Sequence, residues 1–187
     1  MNQVLNLSKE RKVEFQGTIP TIPKLVHINH LRWRPPDADE FKVTYDGAIF
    51  LEEGRARLGV VIHNLDGAVI ASLSQQIPLP ETVAQVEALA MRRAIEFAVE
   101  LGITSTVLEG DSDIIHRELI DSDSSLALHG HLIHDVKWLA SSFDCIHYAH
   151  VRRQGNNVAH ALARWAINSP GLTVLMENIP LDILHVV

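Results

Sequence analysis

Glu87 is the most informative acidic residue of the chain, because it lies on the apolar side of a predicted helix. Turning each residue of the segment 83–101 through about 100° places this glutamate away from the charged side of the helix. Its neighbours on the apolar side are Val83, Ala90, Ala94, Ala98 and Leu101. A carboxylate there costs several kcal/mol unless it is paired, protonated or bound to a metal. The alternative is a glutamate near the helix start that reaches solvent or caps the backbone.

Two aspartates lie where an α/β sheet usually places residues that bind ligands or act in catalysis. Asp111 follows Gly110 at the end of a predicted strand, and Asp46 lies in another strand just before Gly47, which lets a ligand approach the backbone. Taken singly, each aspartate is more often a cap or turn residue, and Asp111 is more often the N-cap of the next helix. If the two strands are neighbours and the helix crosses them, the three carboxylates converge. Two charges about 4 Å apart then repel by roughly 4 kcal/mol at an effective dielectric constant of 20. Only a hard dication makes such a cluster tolerable, and paired Mg²⁺ ions are a common means of hydrolysing phosphodiesters.

The elements that must position these acids follow from the residue pattern. Three β-rich runs predict an antiparallel meander that begins near Phe41: FKVTYDGAIF, RARLGVVIHNL and AVIASLSQQI. A helix over about 83–101 follows, with Thr82 as its N-cap and Gly102 as its stop. The predicted elements after this helix are, in chain order, the strand TSTVLEGD, the helical segments SDIIHRELI and HLIHDVKWLASSF, the strand DCIHYAHV and the helix NNVAHALARWAI. The sequence thus predicts an α/β fold, with a five-stranded mixed sheet flanked by helices.

The flanks of this domain differ from it in composition. Residues 1–40 contain TIPTIP and the pair Pro35-Pro36, which oppose regular structure and predict an extended N-terminal arm. The domain itself is predicted over residues 41–168, with its last helix stopped by Ser169-Pro170-Gly171. Residues 169–187 form a tail whose apolar stretch IPLDILHVV is expected to dock on the domain or on a second copy of it.

Four strings stand in the order and spacing of the ribonuclease H fold: YDGA (45–48), EALA (87–90), EGDS (109–112) and N-x-V-A-H-A-L-A (156–163). With the lead-in Trp33-Arg-Pro-Pro36, the chain resembles the plant retrotransposon type of ribonuclease H-like domain over about residues 33–167. The resemblance implies a five-stranded mixed sheet with helices on both sides. It also implies hydrolysis of the RNA strand of RNA–DNA hybrids with two Mg²⁺ ions, Asp46, Glu87 and Asp111 matching the first three acids of the metal site.

The sequence departs from the family at the fourth acid, whose position is taken by His160. Imidazole binds metals but is neutral, so we expect weaker Mg²⁺ affinity and better tolerance of Mn²⁺. The alternative for His160 is a solvated surface histidine. By resemblance, Asn156 touches the substrate backbone. Val83 and Ala84 replace the amides that read the minor groove in hybrid-cutting relatives, and the stretch IDSDSSLALHGHL is short and acidic where the bacterial type has a basic extension.

The remaining candidates for nucleic-acid contact are Gly47, Thr82, Arg152 and Arg153, although a surface pair of arginines is more often merely solvated. Two other features carry no predicted function. The histidines of His129-x-His131-x-x-His134 lack a fourth zinc ligand, and Cys145 is interpreted as a core residue of its strand.

Composition limits the partners. Sixteen Lys and Arg against 23 Asp and Glu give a net charge of −7, so nucleic-acid binding must be local and salt-sensitive. The single cysteine excludes an intrachain disulfide, and no segment reads as a signal peptide or membrane span, so we expect a cytoplasmic or nuclear protein without membrane contact.

The alternative to a nuclease is a catalytically weakened or inactive domain that binds nucleic acid, a protein partner or a second copy of itself. Exonuclease or junction-cutting activity is a third interpretation within the fold.

Overall fold

A computed structural model of the chain describes residues 28–30, 33–120, 129–165 and 171–186. Its strands are β1 (Ile28–His30), β2 (Phe41–Phe50), β3 (Arg55–His63), β4 (Val69–Pro78), β5 (Ser105–Gly110), β6 (Cys145–Val151) and β7 (Leu172–Met176). Its α-helices are α1 (Val83–Glu100), α2 (Asp113–Ile120), α3 (Gly130–Ala140) and α4 (Asn157–Arg164). Short 3₁₀ turns occupy Arg153–Gly155 and Leu181–Val186. Among these elements, no helix is long and apolar enough to cross a membrane.

The strands form one mixed sheet in the order β1-β6-β5-β2-β3-β4-β7. The meander β2-β3-β4 is antiparallel, and β2, β5 and β6 are parallel neighbours. The predicted α/β fold and its five strands, β2 to β6, are therefore confirmed. Two further edge strands come from the flanks, because β1 pairs with β6 and β7 pairs with β4. The division into arm, domain and tail stays a prediction, and most of the arm, residues 1–27 and 31–32, lies outside the described residues.

Two glycines of the sheet set the positions of the helices on its two faces. A Cβ atom on Gly47 would lie 2.6 Å from Cγ1 of Val86, so α1 packs closely on that face. A Cβ atom on Gly59 would lie 2.3 Å from the Ala159 carbonyl oxygen, so α4 packs closely on the other face. Gly59 is the cross-strand partner of Asp46, and directly opposed residues share a face of the sheet. Asp46 therefore faces α4, whereas Glu87 belongs to the helix on the other side.

Helix α1 begins and ends as its sequence predicts. Thr82 Oγ1 accepts a hydrogen bond from the Gln85 amide at 3.2 Å, and the Thr82 amide donates to Gln85 Oε1 at 3.0 Å, which completes a capping box. At the other end, Gly102 takes a φ of 72° and the Ile103 amide donates to the Ala98 carbonyl. This is the Schellman arrangement that favours glycine after a helix.

The apolar core lies mainly between α1 and the sheet, with Val43, Ile62, Leu73, Met91 and Ile95 buried there. A charged pair is buried on the opposite face of the sheet. Lys42 Nζ lies 3.0 Å from Glu109 Oε2, and the two side chains are 3% and 0% exposed. Removing one partner of such a pair leaves the other charge buried without compensation, so the pair restricts which substitutions these strands tolerate.

The C-terminal tail packs on the domain of its own chain, which was one of two predicted alternatives, the other being packing on a second copy. Ile179 and Ile183 join a second apolar cluster with Val61, Ala159 and Leu162. The last helix ends at Arg164. The predicted stop at residues 169–170, together with residues 166–168, lies outside the described residues, as do residues 121–128 of the acidic stretch.

Candidate metal centre

The three predicted acids come together at one place. Asp46 lies within β2, Asp111 follows β5 directly, and Glu87 lies in the first turns of α1. Because β2 and β5 are parallel neighbours, both aspartates lie toward the same end of their strands. One carboxylate oxygen from each of the three residues lies within 4.8 Å of the other two.

The convergence of three carboxylates disfavours their charged forms. Burial, followed by the charges of Asp46 and Asp111, raises the pKa of Glu87 to about 8. Burial and the charge of Asp111 also raise the pKa of Asp46, although its hydrogen bonds from His160 and the Gly47 amide act in the opposite direction. Glu87 Oε2 is buried and has no hydrogen-bond partner among the described residues. The site therefore contains oxygen ligands whose charge calls for a cation.

The predicted orientation of Glu87 is correct, but one of its predicted neighbours lies elsewhere. Ala90, Ala94 and Ala98 are buried, as expected for the side that packs on the sheet. Val83 is 63% exposed, so its assignment to that side is wrong. Val83 is the first residue of the helix, beyond the part that the sheet covers, and periodicity alone does not show where that cover ends.

His160 contacts the acidic cluster through Asp46. Its Nδ1 lies 2.6 Å from Asp46 Oδ2, and its Nε2 lies 3.2 Å from Nη2 of Arg153. Nη2 of Arg153 also lies 3.4 Å from Nδ1, so the direction of the hydrogen bond follows from the aspartate: a charged carboxylate only accepts, and Nδ1 donates to it. The imidazole is 25% exposed and engaged at both nitrogens, so the alternative of a merely solvated histidine is wrong. Metal ligation by His160 stays a prediction.

Asn156 positions Asp111 from the start of α4. The asparagine is 1% exposed, and its Nδ2 donates to the Tyr45 carbonyl at 2.9 Å and to Asp111 Oδ1 at 3.4 Å. Its Oδ1 is buried without a hydrogen-bond partner among the described residues. Asn156 thus joins β2 to the third acid, and its predicted contact with a nucleic-acid backbone stays a prediction.

The other predicted contact residues surround this cluster in different ways. The Gly47 amide donates to Asp46 Oδ1 at 2.9 Å, and Thr82 Oγ1 is engaged in the helix cap. Arg152 and Arg153 are exposed next to the start of α4. Contact of these residues with nucleic acid stays a prediction.

The spacing of His147 and His150 makes a shared ligand role for them unfavourable and assigns no role to His150, which lies beside the third acid. Its Nε2 lies 3.2 Å from the Asp111 carbonyl oxygen and 3.2 Å from Asp113 Oδ1. The sequence signal for its position is the spacing of His147 and His150, because residues three apart on a strand point to opposite faces of the sheet. One of the two histidines had to face the side that carries α1.

Comparisons with known proteins agree with this architecture. A family model described as reverse transcriptase-like matches residues 44–166. The structure is similar to RNase H1 from the halophilic archaeon Halobacterium salinarum NRC-1, with 28% identity, a TM-score of 0.62, and coverage of 67% of this chain and 95% of that one. It is also similar to the N-terminal RNase H domain of rv2228c from Mycobacterium tuberculosis, with 26% identity, a TM-score of 0.61, and coverage of 68% and 92%.

A third similar structure is LC11-RNase H1, isolated from compost, in complex with an RNA/DNA hybrid. Its identity to this chain is 20%, its TM-score is 0.61, and the coverage is 69% of this chain and 97% of that one, a likeness that shows the fold. No curated protein matches the sequence. The plant retrotransposon type stays a prediction from the motifs.

Proposed function

We propose, since the chain belongs to the reverse transcriptase-like family and has a ribonuclease H-like domain, that it is a metal-dependent nuclease that hydrolyses the RNA strand of RNA–DNA hybrids. The observation that carries the proposal is the convergence of Asp46, Glu87 and Asp111, with a buried oxygen of Glu87 left without a partner among the described residues. A carboxylate buried in this way favours a cation ligand over a purely structural role.

The donor set fits Mg²⁺ or Mn²⁺. All three groups offer carboxylate oxygens, which are the ligands that these hard cations prefer. Asp46, Glu87 and Asp111 would hold the ions, with His160 as a weaker fourth ligand or a group that assists product release. When bound, the divalent ions supply the positive charge that activates a water molecule and stabilises the departing 3′-oxygen.

The chain's own residues orient the acids before any ligand arrives. The Gly47 amide and His160 hold the two oxygens of Asp46 from different sides. Asn156 holds Asp111. Pre-positioned ligands lose little freedom when the site is filled, which favours both binding and turnover.

Substrate binding is proposed for the surface beside the start of α4. Arg152 and Arg153 are exposed there and would contact phosphate oxygens. Gly47, Thr82 and Asn156 are proposed as further contact residues. The hybrid is the proposed substrate because LC11-RNase H1, which has the same fold, was solved in complex with an RNA/DNA hybrid. With a net charge of −7, affinity should be weak and should fall steeply with salt.

A second candidate function is binding without cleavage. It is favoured by His160, which replaces the fourth acid and whose two ring nitrogens already contact Asp46 and Arg153. Such a domain would bind nucleic acid, a protein partner or a second copy of itself.

The test is cleavage of an internally labelled RNA–DNA hybrid at low salt, with Mg²⁺ and Mn²⁺ in parallel. The proposal predicts internal cuts that Asp111→Asn reduces by about 100-fold or more, because one ligand carboxylate is lost. Asp66→Asn, which alters an exposed turn, is the matched control and should leave the rate unchanged. Equal activity in the wild type and Asp111→Asn would refute the assignment. Absence of cleavage with either metal, with retained hybrid binding, would establish the second candidate.

A further inference from the structure

Three metal-ligating side chains of different chemistry meet at the far end of the sheet from the acidic cluster. Cys145 and His147 are two apart on β6 and therefore share a face, and Glu40 lies in the turn that leads into β2. Cys145 Sγ lies 3.6 Å from His147 Nε2 and 4.0 Å from Glu40 Oε1, and His147 Nδ1 lies 3.1 Å from the same Glu40 oxygen. Cys145 is only partly buried, so its interpretation as a core residue is wrong.

The two short distances from His147 use different ring nitrogens, so the imidazole must turn one nitrogen toward both partners to complete a set around one small ion. Around tetrahedral Zn²⁺, sulfur, nitrogen and oxygen ligands at their usual bond lengths lie roughly 3.3–3.6 Å apart. One ligand atom from each of Glu40, Cys145 and His147 lies within 4.8 Å of the other two. The side chains of Glu40 and His147 are 13% and 26% exposed, so solvent reaches the cluster and small rotations can close the set.

The charge and donor types select the kind of ion. Among the described residues, no lysine or arginine forms an ion pair with Glu40. A thiolate and a carboxylate together neutralise one dication, and imidazole is a neutral third donor. A sulfur ligand favours Zn²⁺ over Mg²⁺, unlike the all-oxygen cluster. Glu40 precedes Asp46 by six residues, which is roughly 20 Å along a strand, so the two sites are separate.

We propose that Glu40, Cys145 and His147 bind one Zn²⁺ ion, with solvent in the fourth position. In the sheet β6 and β2 are separated by β5, so an ion held by all three residues ties these two strands together across the strand between them. The expected role is stabilisation of this end of the sheet, independent of hydrolysis at the acidic cluster.

A titration of the reduced full-length chain with Co²⁺ tests the proposal. Cobalt substitutes for zinc, and a thiolate ligand gives a sulfur-to-cobalt charge-transfer absorption. Cys145 is the only cysteine in the sequence, so this absorption reports on that residue alone. We expect saturation at one equivalent per chain, loss of the band when Zn²⁺ is added, and a higher melting temperature in zinc.

Variants separate the site from other metal sites. Cys145→Ser should abolish the band, and His147→Gln and Glu40→Gln should each weaken cobalt binding by about tenfold or more, since second-shell partners alone change affinity by that much. Asp111→Asn should leave the band unchanged, so failure of the catalytic proposal does not affect this one. A thiol that reacts freely with a disulfide reagent but gives no band would overturn the proposal. So would equal affinities in His147→Gln, Glu40→Gln and the wild type, or an equal zinc-induced rise in melting temperature in Cys145→Ser.

Discussion

Replacing Glu87 with glutamine should stabilise the metal-free protein at high pH and remove most of its loss of stability between pH 6.5 and 8. The pKa of Glu87 is raised to about 8 by burial and by the charges of Asp46 and Asp111, whereas the unfolded chain has the ordinary value of 4.5. Between these two values the folded protein binds more protons than the unfolded chain. The contribution of Glu87 to stability is therefore fully present below pH 4.5 and is lost as pH rises toward 8.

The magnitude follows from the same two pKa values. A full proton of difference changes the free energy of unfolding by about 1.4 kcal/mol per pH unit, so the fall between pH 6.5 and 8 is about 1.5 kcal/mol, allowing for partial ionisation of Glu87 near pH 8. His63, whose pKa is lowered to about 4 by burial, acts in the opposite direction and chiefly below pH 6.5. Its contribution is common to both proteins and cancels in the comparison.

Urea unfolding in the presence of a chelator, at pH 6.5, 7.25 and 8, measures this difference. The matched control is Glu81→Gln, which removes an exposed carboxyl just before the same helix. Saturating Mn²⁺ should remove the pH dependence of the wild type, because the bound cation stabilises the charged carboxylate. Parallel stability curves for the wild type and Glu87→Gln would refute the reasoning that burial and neighbouring charge perturb this group.

Four further substitutions test the packing and the site. Gly59→Ala should destabilise the protein by about 1–3 kcal/mol in urea unfolding, because the new methyl group meets the backbone of α4 rather than a movable side chain; a neutral effect would contradict the close packing. Thr82→Ala should cost about 1 kcal/mol through loss of the capping box, and an unchanged melting temperature would argue against it. Lys42→Met should cost about 3–5 kcal/mol by leaving Glu109 charged and buried, with recovery when Glu109→Leu is added; additive losses would disprove the coupling. His160→Asp should lower the Mg²⁺ concentration for half-maximal cleavage about tenfold, equivalent to 1.4 kcal/mol, and no change would exclude this position from the metal centre.

Local patterns account for most of the fold. The alternation of residues in the meander, the Thr82 cap and the Gly102 stop each depend on neighbours within a few residues, and each prediction is confirmed. The helical period also placed Glu87 toward the sheet, because burial of a helix face repeats with the helix turn. Val83 was misplaced because a period indicates direction and not how far the sheet extends.

Contacts between distant parts of the chain account for what the pattern could not predict. The edge strands β1 and β7 come from short segments outside the predicted domain, and they form because β6 and β4 offer unpaired backbone edges.

The amino-acid sequence by itself determined the order of the elements, the acids Asp46, Glu87 and Asp111, and the side of the helix on which the glutamate lies. Only the tertiary structure decided that His160 donates to Asp46 and that Cys145 meets Glu40. These partners are 114 and 105 residues apart along the chain, so no local periodicity links them. Their contacts arise from the packing of α4 on β2 and from the parallel register of β2, β5 and β6.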